Sequence, residues 1–105
     1  MRFYDDLYIS ESLIKKKNKI IWKIKHNVLV PRLYLVLLSS NGKDNFKIIP
    51  SYLFLQKSYP RDMELILGIA KTEDEAIKLM QQMVEDALKT NSPEDIRSYF
   101  TKDTI

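Results

Sequence analysis

Apolar and polar residues fall along the chain in blocks that predict strands and helices in turn. Residues 65–70 form an unbroken apolar run with one glycine, which is too short for a separate helix and typical of a strand covered on both faces. Thr72 to Glu75 then fits a capping box that starts a helix. From Ala76 to Leu88, apolar residues recur every three or four positions, so we expect an amphipathic helix that packs on the preceding strand.

The segment Leu13–Asn27 fits two different structures. As a helix it has an apolar side and a lysine-rich side, and Trp22 lies among the lysines. As a strand over residues 19–25 it would turn Trp22 inward, between Ile20 and Ile24. We favour the helix because the apolar stripe is longer than the alternating stretch.

Residues 33–38 form a second apolar run and predict another strand. Asn41-Gly42 is a strong hairpin signal, and it would return the chain antiparallel through residues 46–49. Against this, Asp44 fits a helix cap and residues 52–59 alternate poorly, so we interpret residues 43–59 as mostly helical.

The resulting order of strands and helices predicts the fold class α/β, with a small, about three-stranded, parallel sheet flanked by helices. The alternative is an α+β fold in which Asn41-Gly42 closes an antiparallel hairpin. Ser92-Pro93 predicts the start of a short last helix. With 105 residues, we expect a single globular domain over residues 1–105.

The composition argues against several kinds of functional site. The chain has no cysteine, one histidine and two glycines, so we predict no disulfide, no metal site, no glycine-rich nucleotide loop and no cofactor. No catalytic constellation is visible, and no catalytic residue is predicted.

No apolar run approaches the roughly 18 residues of a membrane span, and the first residues have no signal-peptide pattern, so the expected location is cytoplasmic without membrane association.

The net charge of +3 conceals an uneven distribution. Residues 1–62 carry 12 Lys/Arg against 5 Asp/Glu, whereas residues 63–105 carry 5 against 9. The helical interpretation of residues 13–27 gathers a basic face around a tryptophan: Lys15, Lys19, Trp22, Lys23 and His26. Such a face suits a nucleic acid or another polyanion, or a protein partner. The structural alternative is that Trp22 is covered and the lysines are merely solvated.

A second candidate site depends on the parallel arrangement. If the strands over residues 33–38 and 65–70 are parallel, their carboxyl ends share one edge of the sheet, where open α/β folds bind ligands. The rim would then contain Ser39, Ser40, Asn41, Lys71 and Thr72. The structural alternative is that these residues only make caps and turns.

Five stretches of the chain resemble a group of small, uncharacterised single-domain bacterial proteins of unknown function. They are Tyr4–Tyr8, Ile20–Lys23 with Lys25–Asn27, Ile49–Tyr52, Gly68–Lys71 and Asp95–Tyr99. The resemblance spans nearly the whole chain and implies a bacterial, cytoplasmic setting, but it transfers no functional residue.

Taken together, these patterns favour a non-catalytic accessory or protein-interaction domain that binds a protein partner or associates with itself. The first alternative is nucleic-acid or polyanion binding through the Lys/Trp face on residues 15–26. The second is small-molecule binding at the carboxyl edge of the sheet.

Overall fold

The computed structural model describes residues 2–28, 30, 32–39, 45–54, 56 and 65–101. Four strands lie in these ranges: β1 (Arg2–Ile9), β2 (Tyr34–Leu38), β3 (Phe46–Pro50) and β4 (Leu65–Ala70). Four α-helices lie there too: α1 (Lys17–Lys25), α2 (Ser51–Phe54), α3 (Glu73–Leu88) and α4 (Ile96–Thr101). Two 3-10 helices, Glu11–Lys16 and Pro93–Asp95, precede α1 and α4.

The four strands form one mixed sheet in the order β1-β4-β2-β3. Only β1 and β4 pair in parallel, while β2 is antiparallel to both β4 and β3. The mixture of helices and strands is therefore as expected, but the prediction of a three-stranded parallel sheet is wrong. The difference arises because residues 46–50, which were expected in a helical connection to β4, form the strand β3 instead. The connection between β2 and β3 is shorter than the dozen or so residues that a parallel pair needs, so β3 pairs antiparallel with β2. The hairpin alternative holds for these two strands, although Asn41-Gly42 lies outside the described residues.

Residues 46–50 were predicted to belong to a helix over residues 43–59, but they form the strand β3, so the prediction is wrong for them. Ile48 and Ile49 pair with Val36 and Leu35 of β2, and Ile49 is buried. The local sequence allows either structure, but pairing supplies β3 with backbone hydrogen bonds and a buried face that a short isolated helix would lack. Within the described part of this stretch, only Ser51–Phe54 is α-helical.

The sheet is covered by helices on both faces. Successive residues of a strand point to opposite sides, so Leu35 and Leu37 of β2 join one core with α1, whereas Val36 and Leu38 join a second core with α3 and α4. From α1 the first core receives Ile20 and Ile24. This confirms that the segment around Trp22 is helical. Leu13, Ile20 and Ile24 of its apolar stripe face the sheet, whereas Ile14 and Val28 are exposed.

The long helix α3 begins as its sequence predicts. The Glu75 N–H donates to Thr72 Oγ1 at 3.1 Å, and the first turn carries three acids. The Glu75 carboxylate accepts from the Thr72 hydroxyl at 3.3 Å, a variation on the usual reach to the capping residue's amide. All six residues of β4, beneath this helix, are buried, as the apolar run predicts.

The sheet also separates opposite charges. Helix α1 carries four lysines and no acid, whereas α3 carries five acids and Lys78. The basic and acidic parts of the sequence thus place their helices on opposite faces of the sheet.

Candidate functional site

Helix α1 ends in an arrangement that turns the chain back against the sheet. Asn27 has a left-handed φ of 59°. Its N–H donates to the Ile24 carbonyl at 3.2 Å, and the Val28 N–H donates to the Lys23 carbonyl at 2.8 Å. These two bonds form a Schellman motif, which satisfies the last helical carbonyls. The connection to β2 can therefore run back alongside α1.

A groove of about 290 Å³ lies between α1, this connection and the end of β4. Its described lining residues are Leu13, Lys16, Lys19, Ile20, Lys23, Val30, Arg32, Leu33 and Lys71. Four of them are apolar and five are cationic, and among these described lining residues none is acidic. We call this feature the basic groove.

The five cations that line the basic groove repel one another. Two unit charges about 8 Å apart in water repel each other by roughly 0.5 kcal/mol, and several such pairs add up. No carboxylate among the described lining residues offsets this repulsion. An anion in the groove would relieve it, so the arrangement is suited to a negatively charged ligand.

The antiparallel pairing of β2 and β4 brings two of these cations together. Tyr34, the first residue of β2, lies opposite Ala70, the last residue of β4. Arg32, which precedes β2, and Lys71, which follows β4, therefore lie at the same end of the sheet and line the same groove. Arg32 also has a left-handed φ of 61°, an uncommon conformation for a residue with a long side chain.

The same pairing keeps the predicted rim from assembling as expected. Ser39 follows Leu38, which lies opposite Leu65 at the start of β4, whereas Lys71 follows the other end. At about 3.3 Å per residue the two positions are about 20 Å apart along the sheet. The proposed proximity of Ser39 to Lys71 is wrong because it required parallel strands.

The remaining rim residues have other roles or lie outside the described structure. Ser39 is buried, its N–H donates to the Asn45 carbonyl at 3.0 Å, and its own carbonyl accepts from Arg97 Nη1. Thr72 caps α3. Ser40 and Asn41 lie outside the described residues.

Trp22 lies on the solvent side of α1, with 56% of its side chain exposed. Its ring stacks on that of His26, one helical turn away, with centroids 4.1 Å apart and planes inclined by 21°. His26 Nδ1 is 2.8 Å from the Trp22 carbonyl oxygen. Because that oxygen can only accept, the Nδ1–H donates and holds the imidazole in place. We call these two side chains the ring pair.

The predicted basic face is thus divided between two neighbouring features. Lys19 and Lys23 line the basic groove, the ring pair lies beside them on α1, and the exposed Lys15 belongs to the preceding 3-10 helix outside the groove lining. Neither Lys16 nor Arg32 of the groove lining is among the site residues predicted from the sequence. Arg32 is the more distant of the two, in sequence, from the predicted basic face. Only its charge signalled a role, because its placement depends on the direction in which two distant strands pair.

Comparisons with known proteins add no relative to this picture. No protein-family model matches the chain, and neither a search of curated proteins nor a search of solved structures finds a match. Within the described ranges, no helix has the length and apolar character needed to cross a membrane. The same part of the chain contains no group of three or more His, Cys, Asp or Glu residues placed to hold a metal ion.

Proposed function

We propose that this protein is a non-catalytic binding protein that holds a polyanion in the basic groove. The observation that carries the proposal is the convergence of five cationic side chains, from three separate segments of the chain, on one groove. Charges placed in this way attract anions over several ångströms and lose that attraction as salt screens them.

The groove suits an anion better than a flat cationic surface would. Its lining also contains Leu13, Ile20, Val30 and Leu33, which lower the local polarity beside the charges. An ion pair in such surroundings is less screened than one in open solvent. The proposal therefore predicts binding that depends on particular lysines rather than on net charge alone.

Binding of a short linear polyphosphate, measured by calorimetry over a series of salt concentrations, tests the proposal. We expect the logarithm of the affinity to fall linearly with the logarithm of the salt concentration. Lys19→Ala and Lys23→Ala should each weaken binding several-fold and reduce the salt slope by about 1.

Lys25→Ala is a matched control, since it removes the same charge from the same helix. Lys25 lies outside the described groove lining, with its Nζ 5.6 Å from the centroid of the Phe3 ring. We expect Lys25→Ala to bind polyphosphate almost as the wild type does. Equal losses in Lys19→Ala and Lys25→Ala, or no binding at low salt, would reject the basic groove as the site.

A further inference from the structure

The ring pair beside the basic groove has no role in holding a bare polyanion. Trp22 exposes more than half of its side chain in the midst of lysines, although tryptophan is among the residues whose burial stabilises proteins most. His26 stacks on the indole, and 56% of the Trp22 side chain stays exposed, which leaves surface for a second flat ring to contact. The stack and the Nδ1–H bond of His26 also limit the freedom of the indole before any ligand arrives.

We propose, on the basis of the polyanion-binding function, that the ligand is single-stranded nucleic acid. One base stacks on the exposed face of the ring pair, and the cations of the basic groove bind the phosphates that follow. Proteins that bind single strands without sequence preference combine these same two elements, a positively charged groove and an aromatic surface.

The spacing on α1 supports this assignment. Lys19 is three residues before Trp22, and side chains at that separation are neighbours on a helix, with Cβ atoms about 5–6 Å apart. Lys23 lies next to Trp22 in sequence and lines the groove together with Lys19. A base on the indole therefore has cationic groups within reach of its own backbone.

The shape of the site favours a single strand over a duplex. Proteins usually read a duplex by inserting a protruding helix or ribbon into a groove of the nucleic acid. Here the cations line a groove of about 290 Å³ together with four apolar residues. A single strand has unpaired bases that are free to stack, whereas the bases of a duplex are stacked on one another.

Three anionic probes separate the two proposals: polyphosphate, an abasic oligonucleotide, and oligothymidylate of the same length as the abasic strand. Trp22 is the only tryptophan, so its fluorescence reports directly on stacking. We expect oligothymidylate to quench this emission, and the abasic strand and polyphosphate to leave it nearly unchanged. We also expect oligothymidylate to bind more tightly than the abasic strand.

Substitution of the ring provides the second measurement, with a labelled oligonucleotide as the reporter. Stacking of a base on an aromatic side chain contributes about 1–3 kcal/mol, so Trp22→Ala should weaken oligothymidylate binding by about 5- to 150-fold. Trp22→Phe should restore part of the loss. Polyphosphate binding should be the same in both variants, which also shows that the groove is intact.

Each outcome distinguishes this inference from the function on which it rests. Equal affinity for the abasic strand and oligothymidylate, with no quenching, overturns the nucleic-acid assignment and leaves polyanion binding in place. Tighter binding of a duplex than of a single strand overturns it as well. Failure of all three probes to bind at low salt overturns both proposals.

Discussion

The hydroxyl of Tyr8 donates a hydrogen bond to a carboxylate oxygen of Asp86 2.5 Å away, and it joins residues 78 positions apart in the chain. The bond links the edge strand β1 to the last turns of α3. Asp86 also accepts from Gln82 Nε2 at 2.8 Å and lies 3.7 Å from Lys89 Nζ. A charged acceptor thus holds a tyrosine hydroxyl at the border of the core.

Tyr8→Phe should destabilise the protein although it removes a single oxygen. A hydrogen bond to a charged group contributes more than one between neutral groups, and its loss leaves Asp86 with fewer donors, so we expect a cost of about 1–2 kcal/mol. Urea unfolding at neutral pH measures it. Tyr52→Phe is the control. Because Tyr52 is 60% exposed, the stability of the protein should not change when its hydroxyl is removed. Equal stability of Tyr8→Phe and wild type would contradict the role of this bond.

The cost of Tyr8→Phe should depend on pH. The hydrogen bond from Tyr8 holds the pKa of Asp86 below its ordinary value of 3.8. A lowered pKa contributes stability that is present above the unfolded-state value and is lost as the pH falls through the folded-state pKa. We therefore expect the stability difference between wild type and Tyr8→Phe to be full at pH 7 and to shrink below about pH 4. An unchanged difference at about pH 3 would contradict this.

At alkaline pH the stability changes in the opposite direction, because it is lost as the pH rises. Burial first, and then the bond to Asp86, raise the pKa of Tyr8 above its ordinary value of 10.0. A raised pKa contributes stability that is present below the unfolded-state value and is lost as the pH rises through the folded-state pKa. Wild-type stability should therefore fall more steeply than that of Tyr8→Phe once the pH exceeds about 10.

Gly68→Ala should destabilise the contact between β4 and α3. A Cβ at this position would lie 2.8 Å from the terminal methyl of Met83 and 3.3 Å from the Tyr8 carbonyl oxygen. Met83 is fully buried, so its movement disturbs other packed side chains. We expect a loss of about 1–2 kcal/mol in chemical denaturation.

The double variant Gly68→Ala/Met83→Leu identifies the cause of that loss. Leucine has no atom corresponding to the methionine Cε, so the two substitutions should be less costly together than the sum of their separate effects. Strict additivity would mean that the Met83 methyl is not what opposes the added carbon.

At position 32, the arginine that favours anion binding is not the residue that favours stability. Its left-handed φ of 61° is easy for glycine and costs other residues about 1 kcal/mol. Arg32→Gly and Arg32→Ala both remove the cation from the basic groove and should weaken polyphosphate binding alike. The glycine variant should be the more stable of the two by about 1 kcal/mol. Equal melting temperatures would show that the backbone at this position is not strained.

Local patterns predicted the elements whose signals lie within a few residues. The buried strand β4, the cap of α3 at Thr72 and the helical face that exposes Trp22 are confirmed. The direction of strand pairing was not predictable in this way, because it depends on contacts between residues far apart in the chain. Residues 46–50 were misjudged for the same reason, since only their pairing with β2 decides between strand and helix.

The sequence predicted several residues of the candidate site but assigned them to two separate surfaces. Lys19 and Lys23 belonged to one predicted surface and Lys71 to another, whereas all three line one groove in the structure. Arg32 enters the same groove because it precedes β2. The predicted accessory role with a protein partner or self-association stays a prediction, because no contact of the described residues bears on it.

The separation of charge between α1 and α3 contributes an electric dipole across the sheet. The lysines of α1 and the acids of α3 lie on opposite faces of the sheet. The field of an approaching polyanion therefore rotates the whole protein before contact, so that α1 faces the polyanion. Encounters then begin in a productive orientation, which raises the association rate rather than the lifetime of the complex. Added salt should accordingly slow capture of the ligand more than it hastens release.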